Sequence, residues 1–494
     1  MDKLDFETTS CWEAYASDEH QAAMRELADR YVDFLSRCKT ERETVDYVVT
    51  RLRAAGYTEN FAHDKVYRVF KGKTVFIARK GRAPLSQGLR LIGAHADTPR
   101  LDLKQRPLLE QAGIGQAKTH YYGGIRKYQW LARPLALHGV VVKESGESVR
   151  ITLGEDPAEP VFTIADLLPH LAQKQAGQTI ADAFEGEKLN IVLGHRPMPK
   201  PVTEEAAGDA AASAETAATT PDAANGNATA SDSTARKDAP KDPVKDPIKA
   251  RMLALLHEKY AIREEDLYSA ELQAVPAGPA RYVGLDGSLV GGYGQDDRIC
   301  VFAALEALLA AENPQQPQCV LFWDKEEIGS EGSTGAKSRF FEYCIEDLIA
   351  AWQPAARFSD VMLATRALSA DVHAAIDPDW QELHEKLNAA VIGHGPCFCK
   401  FTGHRGKYEA NDAHPEYVGW LRGVLNGRKI PWQMAELGRV DGGGGGTVAM
   451  YLAAYGMDII DFGPAVLSMH SPFELSSVAD LYATRLAYTA FLEK

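Results

Sequence analysis

The chain has 494 residues, of which 45% are hydrophobic and 25% charged. This balance is typical of globular proteins and excludes the collagenous, wholly disordered and membrane-embedded classes. At roughly 150 residues per domain the length suggests about three domains. The 54 basic residues face 68 acidic ones, so the net charge is -14. A field of this sign repels phosphate backbones and anionic lipids, which argues against nucleic acid or membrane partners.

The cysteines and the first residues predict a reducing compartment. The seven cysteines form no Cys-x-x-Cys pair, so free thiols fit better than a disulfide framework. The opening MDKLDFETTSCWEAY has neither the apolar run of a signal peptide nor the Arg-rich composition of a transit peptide. The apolar stretch 447–469 is interrupted by Asp458, Asp461 and Pro464, which is unsuitable for a membrane span. We therefore predict a cytoplasmic protein.

The first two hundred residues change pattern near residue 104. Residues 19–37 and 40–55 carry apolar side chains at three-to-four spacing, which predicts two amphipathic helices. KVYRVF, KTVFIARK and LRLIGAHAD then alternate or run apolar, as strands do. Further along, LALHGVVVKE, SVRITLG and LNIVLG predict a β-rich segment over 105–202, with ADLLPHLAQKQ as a short helical piece.

Residues 203–246 have a different composition from the rest of the chain. They contain no aromatic residue and a single Val, so they bury too little apolar area to offset the entropy of ordering. An Ala-rich helix is the competing interpretation, but Thr, Asn, Gly and Pro recur too often for a persistent one. We predict a disordered linker.

Beyond the linker, helices are predicted over 249–260, 297–312 and 336–352, with the apolar strand QCVLFWD before the last one. Buried strands alternating with amphipathic helices predict an α/β fold with a mixed, largely parallel sheet sandwiched by helices. The candidate site residues described next lie on both sides of 105–202. Residues 1–104 and 247–494 are therefore predicted to form one catalytic domain around an inserted β-rich domain.

Open α/β sheets place their sites at the carboxyl ends of strands. His95 ends a predicted strand and Asp97 follows it. A ligating imidazole needs a carboxylate or carbonyl on its other nitrogen, although such a pair is more often an ordinary hydrogen bond. Asp296 and Asp297 follow a Gly-rich strand end and begin a helix, where capping and metal binding explain them about equally well.

Glu326 and Glu327 carry the strongest signal, because they follow the strand CVLFW and precede a Gly/Ser turn. This position suits one carboxylate that binds metal beside another that takes a proton from water; a solvated loop is the alternative. Two more candidates follow apolar runs near residues 371 and 470. The combined set suits zinc or a similar ion in a two-metal site with one shared carboxylate. Its members are His95, Asp296, Glu327, Asp371 and His470.

Five motifs resemble those of the M18 family of metalloaminopeptidases: HADTPRLDLK, GQDDR, DKEEIGSEGSTGA, SADVHAAIDP and MHSPFE, in this order. The resemblance implies a zinc-peptidase-like catalytic domain with an inserted dimerisation domain. It implies two divalent ions per subunit, zinc before cobalt or manganese, and a homo-oligomer, often a dodecamer built from dimers. It makes the five residues above the metal ligands with Asp296 bridging, Glu326 the general base, and Asp97 the group that orients His95.

The resemblance also implies substrate-binding residues. In the family, a histidine of the inserted domain enters the active site of a neighbouring subunit, and DLLPHLAQKQ offers His170. Members that take acidic substrates use a lysine, and GPCFCKFTGHRGKYEAND offers Lys400, with Lys407 and Tyr408 close by. The loop DGGGGGT at 441–447 consists mostly of glycine, which has no side chain, so its main chain lets substrate approach closely.

The predicted function is therefore a metal-dependent aminopeptidase that removes N-terminal residues from peptides, with a preference for Asp or Glu left open. One alternative is another dinuclear-metal amidohydrolase, such as a deacylase or carboxypeptidase. A non-catalytic oligomeric scaffold is the other, which the presence of all five ligand positions and the base disfavours.

Overall fold

The structure, a computed structural model, describes residues 4–199 and 245–494. The predicted linker lies outside the described residues apart from Lys245 and Asp246. Within the described ranges, none of the helices combines the length and the apolar character needed to cross a bilayer.

The helices and strands follow in chain order. The α-helices are α1 (Cys11–Ala14), α2 (Asp18–Arg37), α3 (Glu41–Ala54), α4 (Gln173–Ala176), α5 (Ile180–Ala183), α6 (Pro247–Tyr260), α7 (Gln295–Ala310), α8 (Phe340–Trp352), α9 (Phe358–Ala364), α10 (Pro415–Gly427), α11 (Ala449–Ala453) and α12 (Val478–Leu492). The β-strands are β1 (Lys65–Phe70), β2 (Thr74–Arg79), β3 (Arg90–His95), β4 (Arg100–Gln111), β5 (Ile114–Tyr122), β6 (Leu135–Val142), β7 (Ser148–Leu153), β8 (Ile191–Gly194), β9 (Ala270–Pro276), β10 (Arg281–Val283), β11 (Leu289–Gly292), β12 (Gln318–Trp323), β13 (Arg366–Ser369), β14 (His373–Ala374), β15 (Cys397–Cys399), β16 (Gly403–His404), β17 (Gln433–Met434), β18 (Gly444–Gly445), β19 (Asp458–Gly463), β20 (Ala465–Leu467) and β21 (Glu474–Ser477).

Eight strands form the central sheet in the order β1-β2-β12-β3-β13-β19-β15-β17. The central strands β12, β3, β13 and β19 run parallel to one another. The pairs β1–β2, β2–β12 and β15–β19 are antiparallel. The sheet is therefore mixed and largely parallel, and the predicted α/β fold class is confirmed.

Alternate side chains of the central strands enter two different cores. In β12, Val320 and Phe322 belong to one core, and Cys319 and Leu321 belong to the other. Helices α2, α7, α10 and α12 cover the first face, whereas α8, α9 and α11 cover the second. A strand covered on both faces is apolar throughout rather than alternating, which is why its sequence is a continuous hydrophobic run.

Helix α7 is buried from Gln295 to Leu308. It packs against α12 and α2, and the Phe302 ring lies 5.3 Å from that of Tyr31 and 5.4 Å from that of Phe34. A helix that is apolar on all sides needs neighbours on all sides. The first turn of this helix, which carries the two adjacent aspartates, is therefore held firmly by the core.

A second sheet has six strands in the order β7-β6-β9-β4-β5-β8. Its first strand in sequence begins at Arg100, before the predicted boundary at 104/105. Strand β9 lies beyond residue 247 but pairs with both β4 and β6, and helix α6 packs on β4, β5 and β8. The edges of this sheet therefore do not coincide with the predicted domain boundaries, because a strand from the later segment fills a central position in it.

Candidate metal centre and active site

The predicted ligands meet where strands of two sheets end. His95 is the last residue of β3, and Asp371 follows β13, which lies beside it. The glutamate pair at 326–327 follows β12 on the other side of β3. Asp296 and His470 follow β11 and β20 of a five-stranded sheet with the order β10-β11-β21-β20-β14. Residues far apart in sequence thus converge on one point at the strand ends.

The Asp296 carboxylate lies between the two histidines. Its Oδ1 is 3.1 Å from His95 Nε2, and its Oδ2 is 3.1 Å from His470 Nε2. Glu327 Oε2 lies 3.5 Å from His470 Nε2, and Asp371 Oδ1 lies 3.8 Å from His95 Nε2. Ligands about 2.0–2.2 Å from one zinc ion lie roughly 3–4 Å apart. These separations therefore suit metal coordination.

Asp297 also faces this centre. Potential ligand atoms of His95, Asp296 and Glu327 all lie within 4.8 Å of one another, and so do those of His95, Asp297 and Asp371. Asp297 Oδ2 accepts a hydrogen bond from the backbone N–H of His95 at 3.3 Å. Helix capping and metal binding were equally good explanations of the adjacent aspartates in sequence, and the structure turns both toward the centre.

The charges of the centre suit a cation. Burial, with the charge of Asp371 and neighbouring carboxylates, raises the pKa of Glu326 to about 8 against the opposing effect of His95. Burial alone would lower the pKa of His470, but the Asp296 carboxylate raises it to about 10. Carboxylates packed this closely need positive charge among them, which protons or a divalent ion can supply.

Two buried oxygens provide a second test of whether an ion fits. Glu327 Oε1 and Asp297 Oδ1 have no hydrogen-bond partner among residues 4–199 and 245–494. A buried carboxylate oxygen without a partner is costly, and coordination to a metal would satisfy it. The residues present therefore fit a divalent metal, and their mixture of imidazole and carboxylate donors suits zinc.

Asp97 holds the two sides of the centre together. Its backbone oxygen lies 3.0 Å from His95 Nδ1, and its Oδ1 lies 3.4 Å from the same nitrogen. Its carboxylate also accepts the backbone N–H groups of Glu326 and Glu327, at 3.1 and 3.2 Å. Asp97 therefore contacts both the histidine and the turn that carries the glutamates.

Sequence reasoning missed three further contributors. Glu474 is buried, and its carboxylate accepts the backbone N–H groups of Gln295, Asp296 and His470. Tyr122 and Gly124, from the end of β5 and the turn after it, contact Asp97 and His470. The MHSPFE motif contained Glu474, but nothing in its local pattern distinguished that glutamate from a solvated one.

Residues 34–492 match the family model described as Aminopeptidase I zinc metalloprotease (M18). This chain belongs to the M18 family. The probable M18 family aminopeptidase 1 of Clostridium acetobutylicum is 41% identical over 98% of this chain and 98% of its own length. A crystal structure of the M18 aminopeptidase of Thermotoga maritima is 40% identical and has a TM-score of 0.86, covering 99% of this chain and 100% of the other.

The more distant mApe1 of S. cerevisiae, solved as a dodecamer, shares the fold at 20% identity and a TM-score of 0.70, covering 96% of this chain and 97% of the other. The M18 resemblance predicted from the five motifs is confirmed. The protein is a metalloaminopeptidase, a hydrolase of peptides, of a zinc-dependent family.

A cavity of about 660 Å³ opens onto the metal centre of this M18 aminopeptidase. The glycine-rich loop at 441–447 lines it, as do residues of the 399–409 segment. Lys407 is among the lining residues, whereas Lys400 and Tyr408 are not. The two lysines share one carboxylate, because Lys400 Nζ lies 2.5 Å from Asp412 Oδ1 and Lys407 Nζ lies 2.8 Å from Asp412 Oδ2.

His170 lies away from the cavity of its own subunit. It occupies an exposed 3-10 turn, Pro169–Leu171, in the second sheet's loop region. Three neighbouring leucines are also exposed: Leu167, Leu168 and Leu171. The structure thus brings together the predicted metal ligands with Asp97 and Glu326, places Lys407 in the wall of the same cavity, and leaves His170 on the surface.

Proposed function

We propose that this M18 aminopeptidase cleaves the N-terminal residue from peptides with two divalent ions, most readily zinc, held by the five predicted ligands. The observation that carries this proposal is the position of Asp296, whose two oxygens each lie 3.1 Å from a different histidine. One ion would be held by His95, Asp296 and Asp371, and the other by His470, Asp296 and Glu327. Asp296 would then be the shared carboxylate.

Glu326 is the proposed general base. When bound, the ions polarise the scissile carbonyl and acidify a water molecule. Glu326 lies beside the ligands, with Oε2 3.9 Å from His95 Nε2, so it can accept the proton of that water and return it to the leaving amine. Asp97 positions the backbone of this glutamate through the N–H bond at 3.1 Å. Free carboxylates in the centre would attract the substrate's α-ammonium group.

The variant Glu326→Gln tests the role of the base. We expect kcat to fall by about 10²–10⁴-fold, with zinc content, measured by mass spectrometry, unchanged at two ions per chain. Glu346→Gln, an exposed glutamate of α8, should leave both unchanged. Near-normal turnover by Glu326→Gln at full metal content would exclude this assignment.

A panel of free and N-acetylated peptides tests the reaction against the amidohydrolase alternatives. An enzyme that requires a free α-amine should cleave the free peptides and ignore the acetylated ones. Release of acetate, or of residues from the carboxyl terminus, would favour a deacylase or a carboxypeptidase.

We further propose a preference for acidic N-terminal residues. Basic side chains, Lys407 among them, line the cavity alongside the acidic Glu409, Glu436 and Asp441, although the protein as a whole carries a net charge of -14. A carboxylate of the substrate could replace Asp412 as the partner of Lys407, with Lys400 and Tyr408 supporting that segment. The other basic lining residues are Lys337, Arg405 and Arg439.

Side-chain preference is tested with aminoacyl substrates that carry Glu, Asp, Ala or Leu. A hydrogen bond to a charged group contributes about 1.5–3 kcal/mol, so Lys407→Gln should lower kcat/KM for Glu and Asp by about 10–150-fold and leave Ala nearly unaffected. Lys386→Gln, an exposed lysine that bonds Gln381, serves as the control. An unchanged Glu/Ala ratio would rule out this role.

We also propose that subunits assemble so that His170 serves the active site of a neighbour, in a homo-oligomer of the dodecameric kind. The exposed leucines beside His170 support a contact with a second copy, since apolar patches of this kind are typical of interfaces. Light scattering tests the mass. Mixing His170→Ala subunits with Glu326→Gln subunits should restore activity, because each lacks what the other supplies; no recovery in confirmed mixed particles would contradict the exchange.

A further inference from the structure

The turn at 122–124, which begins with the last residue of β5 of the six-stranded sheet, lies against the metal centre. The Tyr122 hydroxyl donates to Asp97 Oδ2 at 2.7 Å. His470 Nδ1 lies 2.9 Å from the backbone oxygen of Gly124. A carbonyl oxygen only accepts, so this nitrogen carries the proton and leaves Nε2 free to bind an ion.

The same turn acts on His95 through Asp97. His95 Nδ1 lies 3.0 Å from the backbone oxygen of Asp97 and 3.4 Å from its Oδ1, and the same carboxylate accepts the backbone N–H groups at 326 and 327. The Tyr122 hydroxyl is a side-chain donor that fixes the plane of this carboxylate. Each ligating histidine therefore has its second nitrogen facing a group that the turn either supplies or holds.

The backbone of the turn approaches the centre closely. A Cβ atom on Gly123, whose φ is +73°, would lie 3.3 Å from Glu327 Cβ. A Cβ atom on Gly124 would lie 3.4 Å from His470 Nδ1. Gly123 thus leaves room for Glu327 to pack directly against main chain, and the Gly124 backbone lies within van der Waals reach of the His470 ring. The Tyr122 ring is in turn held by the Arg100 guanidinium, 3.8 Å from the ring centroid.

We infer that residues 122–124 of the inserted sheet form a positioning element for the metal centre, with Tyr122 as a positioning residue for Asp97 and Gly124 for His470. This inference rests on the proposed role of His95 and His470 as ligands. The element touches neither the reacting atoms nor the substrate; it sets the tautomer and the orientation of the imidazoles. The inserted domain would then complete the active site of its own subunit.

The test is Tyr122→Phe, which keeps the ring on Arg100 and removes the hydroxyl. Loss of a group that orients a metal ligand typically weakens metal affinity or activity 10–100-fold. We expect a loss of this size in zinc affinity, measured by competition with a chromophoric chelator, and a changed visible spectrum of the cobalt-substituted protein. kcat should fall while KM stays near the wild-type value. The control is Tyr455→Phe. The Tyr455 hydroxyl donates to the Glu342 carboxylate at 2.8 Å, in the core covered by α8, α9 and α11.

The outcomes separate this inference from the proposed function. If the wild type binds zinc and Tyr122→Phe matches it within twofold with the same cobalt spectrum, the inference is wrong and the proposed function stands. If the wild type binds no zinc, both are overturned. Should Tyr122→Phe fail to fold, Gly123→Ala replaces it, because a methyl group there would lie 3.3 Å from Glu327 Cβ at a residue whose φ is +73°. An unchanged cobalt spectrum of the folded Gly123→Ala protein would equally overturn the inference.

Discussion

A junction of charged side chains joins α3 and the residues before it to the six-stranded sheet, and the stability of the protein should depend on pH through this junction. Its members are Lys39, Glu43, His138 and Glu155. The ring nitrogens of His138, on β6, lie 2.8 Å from Glu43 Oε1 and 2.9 Å from Glu155 Oε1. Lys39 Nζ lies 2.6 Å from the same oxygen of Glu155. Two carboxylate acceptors require two N–H donors, so His138 is held in its protonated form. We predict that His138→Gln destabilises the protein, and more so at low pH than at high pH.

The sign of this pH dependence follows from the direction in which the pKa of His138 shifts. Burial alone would lower the pKa of His138, but the carboxylates of Glu155 and Glu43 raise it. The folded chain therefore holds a proton that the unfolded chain loses at about pH 6.5. The stabilisation is fully present below that pH and is lost as the pH rises through the folded-state pKa.

The magnitude follows from the two hydrogen bonds. A hydrogen bond to a charged group contributes about 1.5–3 kcal/mol, and glutamine can replace one of the two donors. Lys39 still neutralises Glu155, so the loss is one charged hydrogen bond and the charge that faces Glu43. The expected cost of His138→Gln is about 2–3 kcal/mol at low pH.

Urea unfolding of wild type and variant across the range from about pH 6 to about pH 9 measures this cost. The difference in unfolding free energy should narrow as the pH rises. Thr484→Val, which removes a hydroxyl that does not titrate and that donates to the backbone oxygen of Asp480 at 2.7 Å, should show no such narrowing. A difference that stays constant across the range would refute the argument from the carboxylate pair.

Three further predictions concern the metal centre and the core. Because the pKa of His470 is raised to about 10 and that of Glu326 to about 8, zinc binding should release protons and tighten as the pH rises; calorimetric heats independent of the buffer's ionisation enthalpy would contradict this. Phe302→Ala, in the middle of the buried helix α7, should cost about 3–5 kcal/mol in urea unfolding, and a cost below about 1 kcal/mol would show that the site collapses. Gly335→Ala would place a Cβ atom 2.2 Å from the backbone oxygen of Ser330, so it should shift the turn after Glu326 and lower kcat; normal kcat in the folded variant would show that the turn adapts.

The central fold and the convergence of the candidate metal ligands could be predicted because their signals are local. The strand QCVLFWD is apolar on both faces, which indicates burial on both sides, and Glu326 and Glu327 follow it directly. His95 likewise ends an apolar strand. Parallel strands bring their carboxyl ends together, so a short-range pattern was enough to place these side chains at one site.

Other features depend on contacts that no local pattern reveals. Strand β9 is the short segment AELQAVP, whose local pattern does not say which sheet it joins, and pairing with β4 and β6 decides this. Glu474 acquires its role by reaching Gln295, 179 positions away. The sequence could not indicate that Lys407 rather than Lys400 lines the cavity. The 399–409 segment is largely irregular, so it has no periodicity from which to infer the direction of a side chain.

A set of contacts connects the pH-dependent junction with the metal centre, beginning where His138 of β6 pairs with Gln273 of β9. Gln273 of β9 donates to the Glu41 carboxylate at 2.9 Å, and Arg100 lies 3.5 Å from the same oxygen. Arg100 packs on the Tyr122 ring, and Tyr122 holds Asp97. A shift of the six-stranded sheet relative to α3 would therefore move the Tyr122 hydroxyl, which donates to the Asp97 carboxylate that faces His95. The ligand geometry of the metal centre consequently depends on how the inserted sheet docks, so a contact that displaces this sheet would act on catalysis without touching the substrate.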